Sequence, residues 1–486
     1  MFRLLHPADC STPPDAPFVV LAGSRWILRD YDQPTDAPPY SCISYAWQDG
    51  RVDHAFVAEQ RMSARTVPAL EATIVATRSV ETWSKAVQFS HKGDAAEEDA
   101  GRDASLEAAQ ALWIDALCIP FDEPARSSAL RDMGRIFGSA HQVIVVLSDR
   151  CAKVLGCIGR GEAIDDPTLL SLEVESWTSR AWTYQEAVNS RVLYFIAEGQ
   201  EDLLVSGQDF LQRVEDGIAA YKSRHALDSL AWLEANPGLN GLEVLLTDYR
   251  IANYADRSAF QVMAAMGQRI SERPEDQFYA MLGSIASTSP FADQGAEVSP
   301  AENFFHVCEA KGDFSFIYTR AARSTELGRG WRPVAGDFSP VLGGLNIFGK
   351  GEAGMVEPGH IQLHKMHFPL RGAISAQGLK LASIFSGLAS AESAPDSVAS
   401  CVLRKLRALG FTGCGEYLEF ETGFFYPQNA SSCSGDASIA VSCGINWVRG
   451  GPGLVLRRNG SDPSAFVDVG AFVGLSPKSG EPVMIR

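Results

Sequence analysis

The stretch SRAWTYQEAV, residues 179–188, sets Trp182 four residues before Glu186. In a helix that spacing stacks an indole and a carboxyl group on one face. Glu186 is then an acid held beside aromatic surface, where it can act on a ligand. The same residues allow a structural reading, because Thr183 and Glu186 have the T-x-x-E spacing of a capping box. Glu186 would then only satisfy backbone donors, and Trp182 would pack. An unperturbed glutamate, with a pKa of about 4.3, is ionised at neutral pH without special tuning.

Other chemistry-bearing patterns are weaker. GLNIFGKG (344–351) has phosphate-loop spacing through Lys350, but Gly351 stands where a magnesium-holding Ser or Thr belongs, and no clear strand–helix frame surrounds it. HIQLHKMH places His360, His364 and His367 at i, i+4 and i+7, yet Pro358 and Pro369 bracket the run, so solvated or strand histidines are favoured over a metal site. No G-x-S-x-G elbow, H-E-x-x-H helix or C-x-x-C pair occurs. No metal is called for.

The elements that must position Glu186 can be read from hydrophobic periodicity. YSCISYAW (40–47) reads as a strand, with a short extended piece near His54–Ala58 after it. RTVPALEATIVATRSV reads as a helix, with Thr66 as cap and Pro68 in the first turn. VQFSHKGDAAEEDAGRDA reads as a polar surface insertion, and ALWIDALCI (111–119) as the next strand. Leu130, Met133, Ile136 and Phe137 form a helical stripe, and the β-branched run HQVIVVLS (141–148) reads as a strand buried on both faces. RVLYFIA follows the Glu186 helix as another strand.

Strand and helix in alternation predict right-handed crossovers and a parallel sheet with helices on both sides. Ligands of such sheets bind outside the carboxyl ends of the strands. That rule gathers Ser44–Asp49, Asp115–Glu123, Ser148–Arg150 and the helix of Glu186. Ser44, Tyr45, Trp47 and Asp115 are therefore candidate ligand contacts, although each is equally readable as a packing or turn residue. Asp276, in RPEDQFYAML, reads as a helix-start residue.

Residues 1–200 form the α/β domain in this reading, 201–330 a mainly helical region and 331–486 a mixed, β-rich C-terminal domain. The latter contains a hairpin signalled by Asn459-Gly460. With 46% hydrophobic and 21% charged residues the chain is globular in type, and a net charge of −17 argues against nucleic acid or anionic membrane as unaided partners. No apolar run is long enough to span a membrane, and the N-terminus does not read as a secretory signal. The ten cysteines are irregularly spaced, several inside apolar runs, which predicts reduced thiols and a cytoplasmic location. The sequons at Asn429 and Asn459 read as coincidental.

Three ordered segments carry a family resemblance. YSCISYAW, LWIDALCIPFDEPARSSALRDMGRIFGSAHQVIVVLS and SRAWTYQEAV resemble the successive boxes of the fungal heterokaryon-incompatibility (HET) domain. Gln48 stands where that pattern usually has glycine, and Pro120-Phe121 where it usually has Asn-Gln. The HET domain is in turn similar to Toll/interleukin-1 receptor (TIR) domains, which have a flavodoxin-like parallel sheet. Some of those cleave NAD between nicotinamide and ribose, using a glutamate in an S-x-W-x-x-x-E-like helix.

The resemblance implies an innate-immune-type cell-death effector. Glu186 is its catalytic carboxylate, supported by Trp182, and Ser44, Tyr45, Trp47 and Asp115 supply substrate-binding loops. NAD is implied as substrate rather than cofactor. Self-association on activation and a protein trigger are implied as partners. Two alternatives stay open: a non-enzymatic, self-associating signalling module, and a nucleoside-processing N-glycosidase.

Overall fold

The computed structural model describes residues 2–47 apart from 10, 11, 14 and 15; 51–78 apart from 55 and 56; 111–225; 232; 235–251; 257–285 apart from 268; 298–334; 351–372; 406–407; 417–447 apart from 434–436; and 450–486 apart from 460, 461, 476 and 478. The insertion read at 87–104, Gln48, Asp49 and most of the 344–351 loop lie outside these residues. The chain divides into two compact units, the first built from residues 1–227 with 234–251 and 286–288, the second from the remainder.

The first unit begins with β1 (Phe2–Pro7), β2 (Val19–Leu21), β3 (Ser24–Tyr31) and β4 (Tyr40–Tyr45). A separate hairpin of β5 (Arg51–His54) and β6 (Val57–Ser63) leads to α1 (Thr66–Arg78). Then come β7 (Ala111–Trp113), a helical turn α2 (Asp115–Cys118), α3 (Ala125–Ser139) and β8 (Gln142–Leu147). Four short helices follow: α4 (Ala152–Gly159), α5 (Asp166–Leu170), α6 (Ser176–Ser179) and α7 (Ala181–Val188). The unit closes with β9 (Leu193–Ala197), β10 (Gln200–Ser206), α8 (Gly207–Arg224) and α9 (Pro237–Ile251).

Eight strands form one mixed sheet in the order β10-β9-β8-β4-β7-β1-β3-β2. The centre is parallel: β4 pairs with β7 on one side and β8 on the other, and β8 pairs with β9. These are the strands read from the sequence, and β8 is buried at every position. The flanks depart from a purely parallel expectation, since β1 to β3 and β10 join antiparallel. ALWIDALCI also departs. Its strand stops at Trp113, and Asp115 turns the chain into α2 by accepting the Ala116 N–H at 2.6 Å.

Alternation along β4 puts helices on both faces of the sheet. Tyr40, Cys42 and Ser44 point one way, where Tyr40 Oη donates to Ile136 O on α3 (2.7 Å) and Ser44 meets α7. Tyr45 points the other way and shares a 2.7 Å hydrogen bond with Thr66 Oγ1 at the start of α1. The stripe Leu130, Met133, Ile136 and Phe137 is the buried side of α3.

The second unit holds α10 (Ala259–Met266), α11 (Pro274–Ile285) and α12 (Pro300–Lys311). Ser258 and Gln261 form a capping box on α10, and Asp276 lies in the first turn of α11 as read from the sequence. The strands are β11 (Gly354–Glu357), β12 (His360–His367), β13 (Leu418–Phe420), β14 (Gly423–Pro427), β15 (Ala437–Ser442), β16 (Gly451–Asn459), β17 (Asp462–Gly474) and β18 (Glu481–Ile485). β16 and β17 are the hairpin signalled by Asn-Gly, with Asn459 paired to Asp462. Because β18 pairs with both β12 and β17, the ring β12-β15-β16-β17-β18 closes on itself as a five-stranded barrel. The three histidines of 360–367 lie on strand β12, so their helical spacing does not apply.

Phe425 on β14 fills the slot opened by a cross-strand glycine pair, Gly453 opposite Gly470. A Cβ at Gly470 would fall 2.3 Å from Phe425 Cζ, and one at Gly453 would fall 2.9 Å from Cε2. Gly470→Ala therefore forces the ring out of its place at about 1–3 kcal/mol. Chemical denaturation should show the second unit unfolding at lower denaturant; an unchanged midpoint would rule out this packing.

Candidate functional site

The carboxyl edge of the parallel strands carries a continuous hydrogen-bonded network. Ser44, fully buried near the end of β4, donates to Glu186 Oε2 on α7 at 2.5 Å. Its oxygen accepts the indole N–H of Trp177 at 2.7 Å, and that indole sits edge-on to Phe195 of β9. The ring that supports Glu186 through Ser44 thus belongs to Trp177, nine residues upstream. Trp182, the indole singled out by spacing, is half-buried one turn before Glu186 on α7.

The capping reading of Glu186 does not hold. The N-cap of α7 is Arg180, with no side-chain cap. Thr183 Oγ1 instead donates to the carbonyls of Trp177 (2.6 Å) and Arg180 (2.9 Å).

A second carboxylate stands beside the first. Asp115 opens α2 just past β7, where its Oδ2 accepts the Trp47 indole N–H at 2.9 Å and its Oδ1 the Ala116 N–H. The Tyr45 phenol, hydrogen-bonded to Thr66, also favours its charged form. Ser44, Tyr45, Trp47, Asp115 and Glu186 are therefore brought together. Burial separates them: Ser44, Tyr45 and Glu186 are buried, whereas Trp47, Asp115, Arg180 and Trp182 are half-buried.

The electrostatics follow from this arrangement. Loss of water pushes Glu186 up to about 8; the Ser44 hydroxyl opposes the shift, the neighbouring Asp115 charge adds to it and Arg180 opposes it. Glu186 is thus mostly protonated at neutral pH, contrary to the ordinary carboxylate behaviour expected of it from sequence. Asp115 is pushed by burial only to about 6, because the Ala116 N–H, Tyr45, Trp47 and Arg180 all hold its charged form.

Behind this pair lies a buried cation that no spacing in the sequence announces. Arg65, just before α1, donates from Nε to Glu198 at 2.7 Å and from its two terminal nitrogens to Ala46 O and Val146 O, each at 3.3 Å. Its NH1 also lies 4.0 Å from Glu175 Oε1. Glu175 accepts from Ser148 N (3.1 Å), Ser148 Oγ (2.5 Å) and Trp177 N (3.2 Å). Ser148 was legible as a strand end; Arg65, Glu175 and Trp177 were not. Among the described residues, no group of three or more His, Cys, Asp and Glu could hold a metal ion, and the seven cysteines carry no disulfide. No helix there is long and apolar enough to cross a membrane.

Residues 40–162 match the family model described as heterokaryon incompatibility protein (HET). Over that span the chain is similar to the HET domain. That similarity supports a heterokaryon-incompatibility, cell-death type of function. The matched span includes Ser44, Tyr45, Trp47, Arg65 and Asp115, while Glu175, Trp177, Trp182 and Glu186 come later in the first unit. No curated protein and no solved structure matches the chain.

The shifted carboxyl has a thermodynamic signature. Below its ordinary value of 4.5 Glu186 is protonated in folded and unfolded chains alike, so it adds no pH dependence. Between there and about 8 the unfolded chain releases the proton and the folded one keeps it, so stability falls as pH rises, and above about 8 the loss is complete. Glu186→Gln should therefore leave stability nearly unchanged at pH 4 and raise the Tm progressively towards pH 8. A Tm difference that does not vary with pH would contradict the buried, proton-holding state.

Proposed function

We propose that the HET domain of this chain is a cell-death effector that hydrolyses NAD at the nicotinamide–ribose bond, with Glu186 as its catalytic carboxylate. The observation that carries the reading is the hydrogen bond from Ser44, at the end of a central parallel strand, to Glu186 on α7. It links residues 142 positions apart at the carboxyl edge, where sheets of this kind bind ligands. The order of the parallel strands supports the same reading: numbered by chain position they run second, first, third, fourth, the order of flavodoxin-like sheets, with the switch point between β4 and β8.

The chemistry suits the residues. Departure of nicotinamide, a good leaving group, leaves positive charge on the ribose. A carboxylate fixed beside the sugar stabilises that charge, and the positive charge of the arriving ring favours loss of the Glu186 proton to solvent. Trp47 and Trp182 offer half-buried indole surface for a planar ring. NAD is the substrate in this reading, and no metal takes part. Activation goes with self-association, set off by a protein trigger.

One observation favours a second reading. A carboxyl group that keeps its proton at neutral pH can protonate the leaving base of a neutral N-glycoside, which nicotinamide does not require. A nucleoside is the substrate there.

Both readings are tested by following base release from NAD and from adenosine. Glu186→Ala should lower nicotinamide release about a hundredfold or more, the scale of one lost electrostatic partner. In the wild type kcat/KM for NAD should rise with pH and level off above about 8. Equal release by wild type and variant removes Glu186 from the mechanism, and adenosine cleavage without NAD cleavage selects the second reading.

A further inference from the structure

We infer that the site has a second catalytic carboxylate, Asp115, which takes the proton from the attacking water. The inference rests on the reading that the site cleaves a ribosyl C–N bond, and it divides the work between two acids that the sequence left as one catalyst and one contact.

Accessibility is the first ground. Glu186 is only 6% exposed, whereas Asp115 is half-buried beside the half-buried indole of Trp47. Water arriving from outside therefore reaches Asp115 first. Hydrogen bonding is the second. Asp115 accepts from the Trp47 indole and the Ala116 amide, while the bond found at Glu186 comes from a single hydroxyl. Two N–H donors, one on each oxygen, hold a carboxylate in its charged, proton-accepting form and fix its plane. A carboxylate has about four acceptor sites, so two donors leave room for a water molecule.

The surrounding groups agree. From the N-cap of α7 the Arg180 guanidinium faces the pair; from β4, Cys42 and Tyr45; and from α2, Cys118. Burial pushes both thiols and the phenol upward, so all three stay neutral. Arg180 is the cation that steadies the two acids. Asp115 and Glu186 titrate on either side of neutrality, so at neutral pH Asp115 is the acid of the two that is ionised and free to accept a proton.

The step balances. The C1′–N bond breaks with its electron pair passing to the nicotinamide nitrogen, which becomes neutral. The water oxygen bonds to C1′, and the water proton passes to Asp115 and then to solvent. ADP-ribose, nicotinamide and one proton leave.

The test uses the full chain with NAD. Asp115→Asn should lower kcat about a hundredfold or more with KM little changed, and should remove the rise of kcat/KM near pH 6. Azide, an anionic nucleophile that needs no base, should restore turnover and yield ribosyl azide; Glu186→Gln should keep the rise near pH 6. Wild-type turnover in Asp115→Asn, or a loss that azide leaves untouched, overturns the inference. If the wild-type chain releases no nicotinamide, the hydrolase reading fails. The inference then falls with it, whereas nicotinamide release that Asp115→Asn leaves at the wild-type rate overturns the inference alone.

Discussion

A single buried guanidinium holds the carboxyl edge of the first unit together. Arg65 reaches the chain after β4 through Ala46 O, β8 through Val146 O and the residue following β9 through Glu198. Burying such a charge is costly unless its hydrogen bonds are met, and here every guanidinium nitrogen has a partner. Truncating one side of a buried pair leaves the other uncompensated at about 3–5 kcal/mol, which is why the edge answers to Arg65 as a unit. From Glu175, close to that cation, the linkage runs to the Trp177 amide, from the Trp177 indole to Ser44 and from Ser44 to Glu186. The position of the candidate catalytic carboxyl is thus set by a relay that begins at the sheet's own stabilising charge.

The second unit solves a similar problem by different means. Asp313 is buried and accepts the Ala259 amide of α10 at 2.6 Å, the Ser315 amide at 3.0 Å and the Glu352 amide at 3.2 Å. Glu352, also buried, accepts from Tyr318 Oη at 2.6 Å and from Ser442 of the barrel. One acid caps a helix and the other ties the turn at Ser315–Tyr318 to β15. These bonds are satisfied locally, which marks them as structural and sets them apart from the graded exposure at Asp115 and Glu186.

How much of this was legible depends on how far each signal reaches along the chain. The β-branched run of β8, the stripe on α3 and the Asn-Gly hairpin of β16 and β17 are local patterns, and the sequence displays them directly. Strands β1 to β3 are short or antiparallel additions to a sheet whose centre lies further along the chain, and nothing near them names their partners. WIDALCI is ambiguous between strand and helix, and the Asp115 carboxylate settles it by taking the first amide of a turn. Glu186, Ser44, Trp47 and Asp115 were reachable because the carboxyl-edge rule gathers strand ends. Trp177 was not, since its partner Ser44 is 133 residues away and only a closer indole shared the periodicity of Glu186.

The boundary of the family match adds a physical point. Residues 40–162 bring the switch-point strands, the Trp47–Asp115 pair and Arg65, but not the helix of Glu186. Without α6 and α7, Ser44 would lack the Trp177 donor and its carboxyl acceptor. Arg65 would also lose Glu175 and Glu198. A buried serine and a buried cation cannot stand alone in an apolar layer, because each unmet polar group carries its full desolvation cost. The matched segment and the helices after it are therefore one folding unit, and the candidate chemistry belongs to the edge that both complete.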